Sequence, residues 1–173
     1  VAATVREYGT PGSVRLLSVA INNLRRQNYG SAIQAATGAI ESGGLTPRGK
    51  SLGYSIRATA YGLTRRRALA RADIAEALRV DPRNVMALNA RASEAMLAGN
   101  LTAAERDYSR SISIRPTGRA HFGRAFIRFI HRQYEPALAD ATQSIAIEPR
   151  PAGAYALRGL IEHAMGRRAA ARR

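Results

Sequence analysis

Apolar positions along the chain recur at helical spacing. Leu88, Ala92, Ala95 and Met96 form one stripe, and Leu101, Ala104, Tyr108 and Ile112 form the next. That spacing buries one face of an amphipathic helix. No stretch alternates apolar and polar residues long enough to argue for a sheet. The pattern predicts helices near 13–27, 29–42, 50–64, 66–80, 84–98, 100–114, 118–131, 134–147 and 152–165. Of the seven prolines, Pro136 is placed in a first helical turn, where a missing N–H costs least, and the other six between helices or ahead of the first. Gly99-Asn100 and Gly166 supply breaks between paired helices.

The helices repeat. Pro82, Pro116 and Pro149 stand 34 and 33 residues apart, each closing a similar phrase such as Leu78-Arg79-Val80-Asp81-Pro82. Ala32, Ala70, Ala104, Ala137 and Ala171 keep the same step, apart from a first interval of 38. Ala20, Ala58, Ala92, Ala125 and Gly159 run twelve residues ahead of them. A fixed period near 34 signals a stacked array of supersecondary units. Small residues on two facing helices let the backbones approach closely, so each unit reads as an antiparallel helix pair.

On these markers the chain resembles a tetratricopeptide repeat (TPR) array, whose unit carries small residues at its eighth and twentieth positions and proline at its thirty-second. The fourth position, usually large, holds Leu16, Tyr54, Leu88, His121 and Tyr155, and His121 departs from the pattern. The resemblance covers residues 13–173 as repeats at about 13–46, 51–84, 85–117 and 118–151 with a partial fifth at 152–173, and leaves 1–12 as a lead-in. It implies an all-α solenoid, a right-handed superhelix of antiparallel helix pairs. Repeat one has Gly44 where proline belongs and four extra residues, Pro47 to Lys50. Residues 1–12 are expected to be a loose lead-in or the end of an upstream helix. Solenoid ends need caps, so the C-terminal face is expected to be covered by a partner, to self-associate or to continue into a longer parent.

Charge changes the picture. There are 27 basic and 12 acidic residues, a net charge of +15, and Lys50 is the single lysine. Such an excess attracts acidic proteins, nucleic acid or anionic membrane surfaces. The absence of cysteine removes disulfides, thiolate metal sites and cysteine nucleophiles, yet fits cytoplasm and periplasm equally. No apolar run approaches the roughly 18 residues of a membrane span.

Catalytic chemistry finds little support. Gly44-Leu45-Thr46-Pro47-Arg48-Gly49-Lys50-Ser51 matches the phosphate-loop spacing G-x-x-x-x-G-K-S. A working loop follows a buried strand and pairs with a second strand, whereas Ala32 to Ile40 reads as an alanine-rich helix, so no nucleotide site is expected. At most the helix after Lys50 could hold a stray anion with Arg48 and Lys50. His121, His131 and His163 form no i, i+4 metal pair, and no serine lies in a nucleophile elbow. The chain is therefore expected to have no catalytic residues, metal or cofactor.

The arginines separate by register. Arg57, Arg91, Arg124 and Arg158 share the seventh position, while Asp73, Asp107 and Asp140 share the twenty-third, which predicts a ladder of interhelical bridges. Arg25, Arg26, Arg65, Arg66, Arg67, Arg132, Arg167 and Arg168 cluster at the turns inside the pairs as a basic edge. Arg83, Arg115 and Arg150 mark the opposite edge.

In the family, the second, fifth, ninth and twelfth positions of the first helices commonly touch ligand. The resemblance carries this to Asn89, Ser93 and Met96 in repeat three, Arg119, Phe122, Phe126 and Phe129 in repeat four, and Leu160 in the fifth. An apolar groove with polar ends at Asn89 and Arg119 is expected, taking an acidic, partly apolar peptide, the lead-in or a second copy. Nucleic acid bound by the arginine edges is the second-ranked partner. The lysine–asparagine–arginine clamp of the chaperone-binding subfamily is missing: the relevant places hold Leu17 and Ile21, or Asn89 and Ser93 followed by Gly123.

Overall fold

The computed structural model describes residues 6–148 and 152–166. Nine α-helices run from Pro11 onward among them: α1 Pro11–Arg25, α2 Tyr29–Glu41, α3 Pro47–Leu63, α4 Arg67–Val80, α5 Val85–Leu97, α6 Leu101–Ile114, α7 Gly118–Ile130, α8 Tyr134–Ile147 and α9 Ala152–Ala164. The sole β pairing in that range is an isolated antiparallel bridge between Gly9 and Leu45.

Every helix end lies within two residues of its expected place except the start of α3, three residues early. The reason is a cap. Thr46 is the N-cap and its Oγ1 accepts from the Gly49 N–H at 3.1 Å, with Pro47 in the first turn. Thr10 does the same for α1, accepting from the Ser13 N–H at 3.5 Å ahead of Pro11. Both prolines therefore sit inside helices rather than outside them, where proline's fixed φ suits the first turn. The four extra residues of repeat one are that added turn.

The chain divides into two compact units, Val1–Ala90 and Arg91–Arg173, with the boundary inside α5. In the first unit Leu17, Ala20, Ala36, Ala39 and Ile56 form the core, with Met86 packed against it. In the second, Ala92, Ala104, Tyr108, Ala120 and Ile127 form one cluster, and Ala125, Ala137, Ala141, Leu157 and Ile161 form another. The repeat-marking alanines from Ala20 to Ala137 are all buried. That is the expected consequence of helix pairs closing on small residues.

Residues 7–10 of the lead-in are tied down. The Thr10 N–H donates to the Gly44 carbonyl at 2.8 Å, the Thr46 N–H donates to the Tyr8 carbonyl at 3.1 Å, and the Thr46 hydroxyl donates to the Glu7 carbonyl at 2.7 Å. Arg48 pairs with Glu7 at 2.8 Å. Gly49 is required here, because a Cβ on it would overlap the Tyr8 carbonyl. Residues 7–10 thus strap the α2–α3 connection, and are committed there rather than to the Phe122–Phe126 face.

The turns inside the helix pairs share one device. The Gln27, Arg65, Gly99 and Arg132 N–H groups bond the carbonyls of Leu24, Gly62, Met96 and Phe129. The following N–H, from Asn28, Arg66, Asn100 and Gln133, reaches back to Asn23, Tyr61, Ala95 and Arg128. This is the Schellman motif, which puts its C′ residue in the left-handed region. Gly99 adopts φ +78° there without strain, whereas Arg65 and Arg132 are held at φ 61° and 59°. Arg65→Gly should therefore raise stability by about 1 kcal/mol, read as a higher midpoint in thermal denaturation. An unchanged or lower midpoint would mean that the arginine side chain contributes packing that offsets the strain.

Candidate peptide-binding face and arginine clusters

The ladder forms in three repeats. Arg57 grips Asp73 through Nε and Nη2 at 2.7 and 2.8 Å, Arg91 grips Asp107 at 2.7 and 2.9 Å, and Arg124 grips Asp140 at 2.7 and 2.8 Å. Each is a bidentate fork between the two helices of one pair. Two of the arginines also reach back one helix: Arg57 Nη1 donates to Thr37 Oγ1 at 3.0 Å and Arg124 Nη1 to Ser109 Oγ at 3.2 Å. The bond to Asp73 holds the Arg57 guanidinium above its ordinary pKa although burial opposes it. Arg158 departs from the ladder. It lies 3.9 Å from Glu162 on its own helix and stacks over the Tyr155 ring at 5.5 Å.

Asp140 is the most heavily used carboxylate. Besides Arg124 it meets His121 Nδ1 at 2.8 Å and Arg128 Nη1 at 2.8 Å, while Arg128 Nε also approaches Glu105 at 3.2 Å. Burial alone would raise the Asp140 pKa, but the bonds from Arg124 and His121 outweigh it and hold the carboxyl below its ordinary range. His121, the residue that broke the repeat pattern, is buried as the third partner of this node.

The phosphate-loop lookalike is occupied by structure. The Thr46 and Gly49 N–H groups are bonded to Tyr8 and to the Thr46 hydroxyl, and Lys50 N–H to the Thr46 carbonyl at 2.8 Å. Ser51 is fully buried, donating to the Ala77 carbonyl and accepting from Asn84 Nδ2, both at 2.7 Å. The Thr46, Gly49 and Lys50 N–H groups are thus already used within the protein and are not free to cradle a triphosphate.

The expected groove residues separate into three situations. Asn89 is buried on the first unit's portion of α5. In the second unit Phe122 and Phe129 are half-buried and pack against the cluster around Ala125 and Leu157, with the Phe122 ring against Gly153 at the start of α9. Phe126 stays 38% exposed and Leu160 57% exposed. These two hold the same repeat position on α7 and α9. Met96 is half-buried beside Ala92 and Tyr108. Ser93 Oγ lies 3.0 Å from the Tyr108 hydroxyl and accepts from Arg119 Nη2 at 3.4 Å, so the exposed Arg119 extends across from α7 to α5. The one phenylalanine helix thus serves both purposes: its flanks build the core and its ridge faces solvent.

The basic edge is exposed wherever it is described: Arg25, Arg26, Arg65, Arg66 and Arg67 in the first unit and Arg132 in the second. Arg167, Arg168 and Arg150 lie outside the described residues, as does Ala171. Sequence reasoning missed Tyr108, Thr37 and Ser109. Tyr108 was legible as an apolar position, but its hydroxyl contact with Ser93 depends on a cross-helix distance that no spacing encodes. No group of three or more potential metal ligands occurs among the described residues, and no helix there is long and apolar enough to cross a membrane.

No family model and no curated protein matches the sequence. Solved structures do match its fold. Pseudomonas aeruginosa pilF is similar at TM-score 0.77 and 15% identity, covering 92% of this chain and 72% of that one. A thermophilic TPR protein of Thermus thermophilus is similar at TM-score 0.66 and 20% identity, covering 88% and 81%. The first TPR of Spaghetti (RPAP3), bound to the HSP90 peptide SRMEEVD, is similar at TM-score 0.62 and 21% identity, covering 69% and 95%. The fold is thus all-α and of the stacked helix-pair kind. More narrowly, it is the tetratricopeptide repeat fold.

Proposed function

We propose that the protein is a non-catalytic interaction scaffold whose second unit binds an acidic, partly apolar peptide across α5, α7 and α9. The observation that carries this reading is the pair Phe126 and Leu160, exposed at equivalent positions of two first helices, with Arg119 earlier on α7 and reaching toward α5. Two solvent-facing apolar side chains in register offer anchor points, and Arg119 supplies a fixed donor for a carboxylate. The net charge of +15 favours encounter with acidic segments, while apolar burial sets residence time. The Spaghetti domain, bound to a peptide, is an instance of a protein of this fold that takes one. Its particular peptide is not expected to bind here, because the clamp residues of the chaperone-binding subfamily are missing.

The test is selection of 12-residue peptides from a display library on the purified chain. The selected sequences should combine Asp or Glu with Leu, Ile or Phe. Phe126→Ala with Leu160→Ala should weaken the best of them about tenfold or more, without change in the circular dichroism spectrum. Binding should survive 0.5 M salt, where the screening length is only about 4–5 Å. Lysine-rich selections, or affinity indifferent to both substitutions, would remove the site.

A further inference from the structure

The first unit carries a second surface that the groove does not use. Helices α1 and α3 pack in parallel, with Leu17 against Gly53 and Ala20 in one cluster with Ile56, so the α1–α2 and α3–α4 turns emerge at the same end. These turns present Arg25, Arg26, Arg65, Arg66 and Arg67, all exposed, and no acidic residue occurs in 22–32 or 61–71. The tip is also apolar. Leu63 and Leu69 flank Arg65–Arg67 and are 56% and 48% exposed. Its backbone is fixed by the Schellman bonds to Tyr61 and Gly62, with the Thr64 hydroxyl bonded to the Ala60 carbonyl at 2.9 Å. Arg65 occupies a left-handed position where repeat three has Gly99, so a charged side chain is kept where glycine would be strain-free. The corresponding turn of repeat three, residues 97–103, has Leu97 but no charge. Repeat four keeps one arginine there, Arg132, beside the exposed Ile130, but Glu135 follows it, so the uninterrupted run of three arginines between two leucines belongs to this edge.

We propose that this edge docks on an anionic lipid surface. The arginines would engage headgroup phosphates in bidentate fashion, and Leu63 and Leu69 would enter the interfacial layer. Charge complementarity selects an anionic partner, and the leucines select among anionic partners. Against a nucleic-acid backbone they would stay in water, and Tyr29 and Tyr61, the aromatic residues of these segments, are half-buried and present no stacking platform. A lipid interface uses both halves of the tip.

Sedimentation of the whole chain with vesicles tests this. Phosphatidylcholine vesicles containing about one-third phosphatidylserine should capture the protein, and pure phosphatidylcholine should not. Arg66→Gln and Arg67→Gln should each lower the partition coefficient roughly fivefold. Leu63→Ser with Leu69→Ser should lower it about threefold or more. These side chains face solvent, so folding is preserved, which far-UV circular dichroism checks. Equal capture by neutral vesicles, or a leucine variant that partitions like the parent, would overturn the proposal. So would tighter binding of a short DNA duplex than of the anionic vesicles at the same salt. Peptide binding in the second unit is scored separately, so either reading can fail alone.

Discussion

Gly123→Ala is expected to destabilise the protein by about 3 kcal/mol, the sum of overpacking and a strained hydrogen bond. A Cβ at Gly123 would overlap the ring and hydroxyl of Tyr108, and that ring is buried. Tyr108 cannot simply move away, because its hydroxyl is 3.0 Å from Ser93 Oγ and its ring closes the cluster of Ala92, Ala104, Ala120 and Ile127. The midpoint of thermal unfolding should fall by roughly 6–12 °C. Gly38→Ala, made for comparison, should act in the opposite direction. Its nearest neighbour would be Leu16 Cδ1 at 3.8 Å, an ordinary contact, and alanine is the better helix former by about 1 kcal/mol. Combining Gly123→Ala with Tyr108→Leu should recover part of the loss, since the overlapping atoms are then gone. If Gly123→Ala melts like the parent, the packing of α7 on α6 described above is wrong.

The sequence disclosed the architecture because the repeat is written in covalent spacing. Alanines 34 residues apart have one mechanical use, and all eight from Ala20 to Ala137 are buried as that use requires. The Arg–Asp ladder was legible for the same reason: a constant separation of 16 residues across an antiparallel pair places guanidinium opposite carboxylate in repeats two, three and four. What spacing could not show were contacts between elements with no repeating partner. The strap of residues 7–10 on Thr46 and Gly49 occurs once, so no periodicity marks it. The only sequence trace of it is the four-residue insertion Pro47 to Lys50. The phenylalanine helix shows a related limit. Register put Phe122, Phe126 and Phe129 on one face, but that face is wider than the exposed strip. Which ring remains in solvent depends on how α9 lies against α7.

The second large effect concerns Asp140. Asp140→Ala should cost about 3–5 kcal/mol, because it leaves Arg124, Arg128 and His121 facing one another without their shared carboxylate. Asp107→Ala should cost less. The Arg91 side chain is 44% exposed against 16% for Arg124, so water can replace the lost partner. The acid dependence follows from the same node. In the unfolded chain the carboxyl titrates near its ordinary value of 3.8, and in the folded protein it titrates lower. The folded state therefore binds this proton less readily. The stabilisation is whole above about pH 4 and is lost as pH falls toward the folded-state value. Parent and Asp140→Ala should consequently differ most in urea midpoint at neutral pH and converge as the solution is acidified below pH 4. A gap that stays constant down to pH 2 would show that Asp140 acts through packing volume rather than charge. A gap that widens on acidification would reverse the sign of the linkage and remove the Asp140 carboxylate node as its cause.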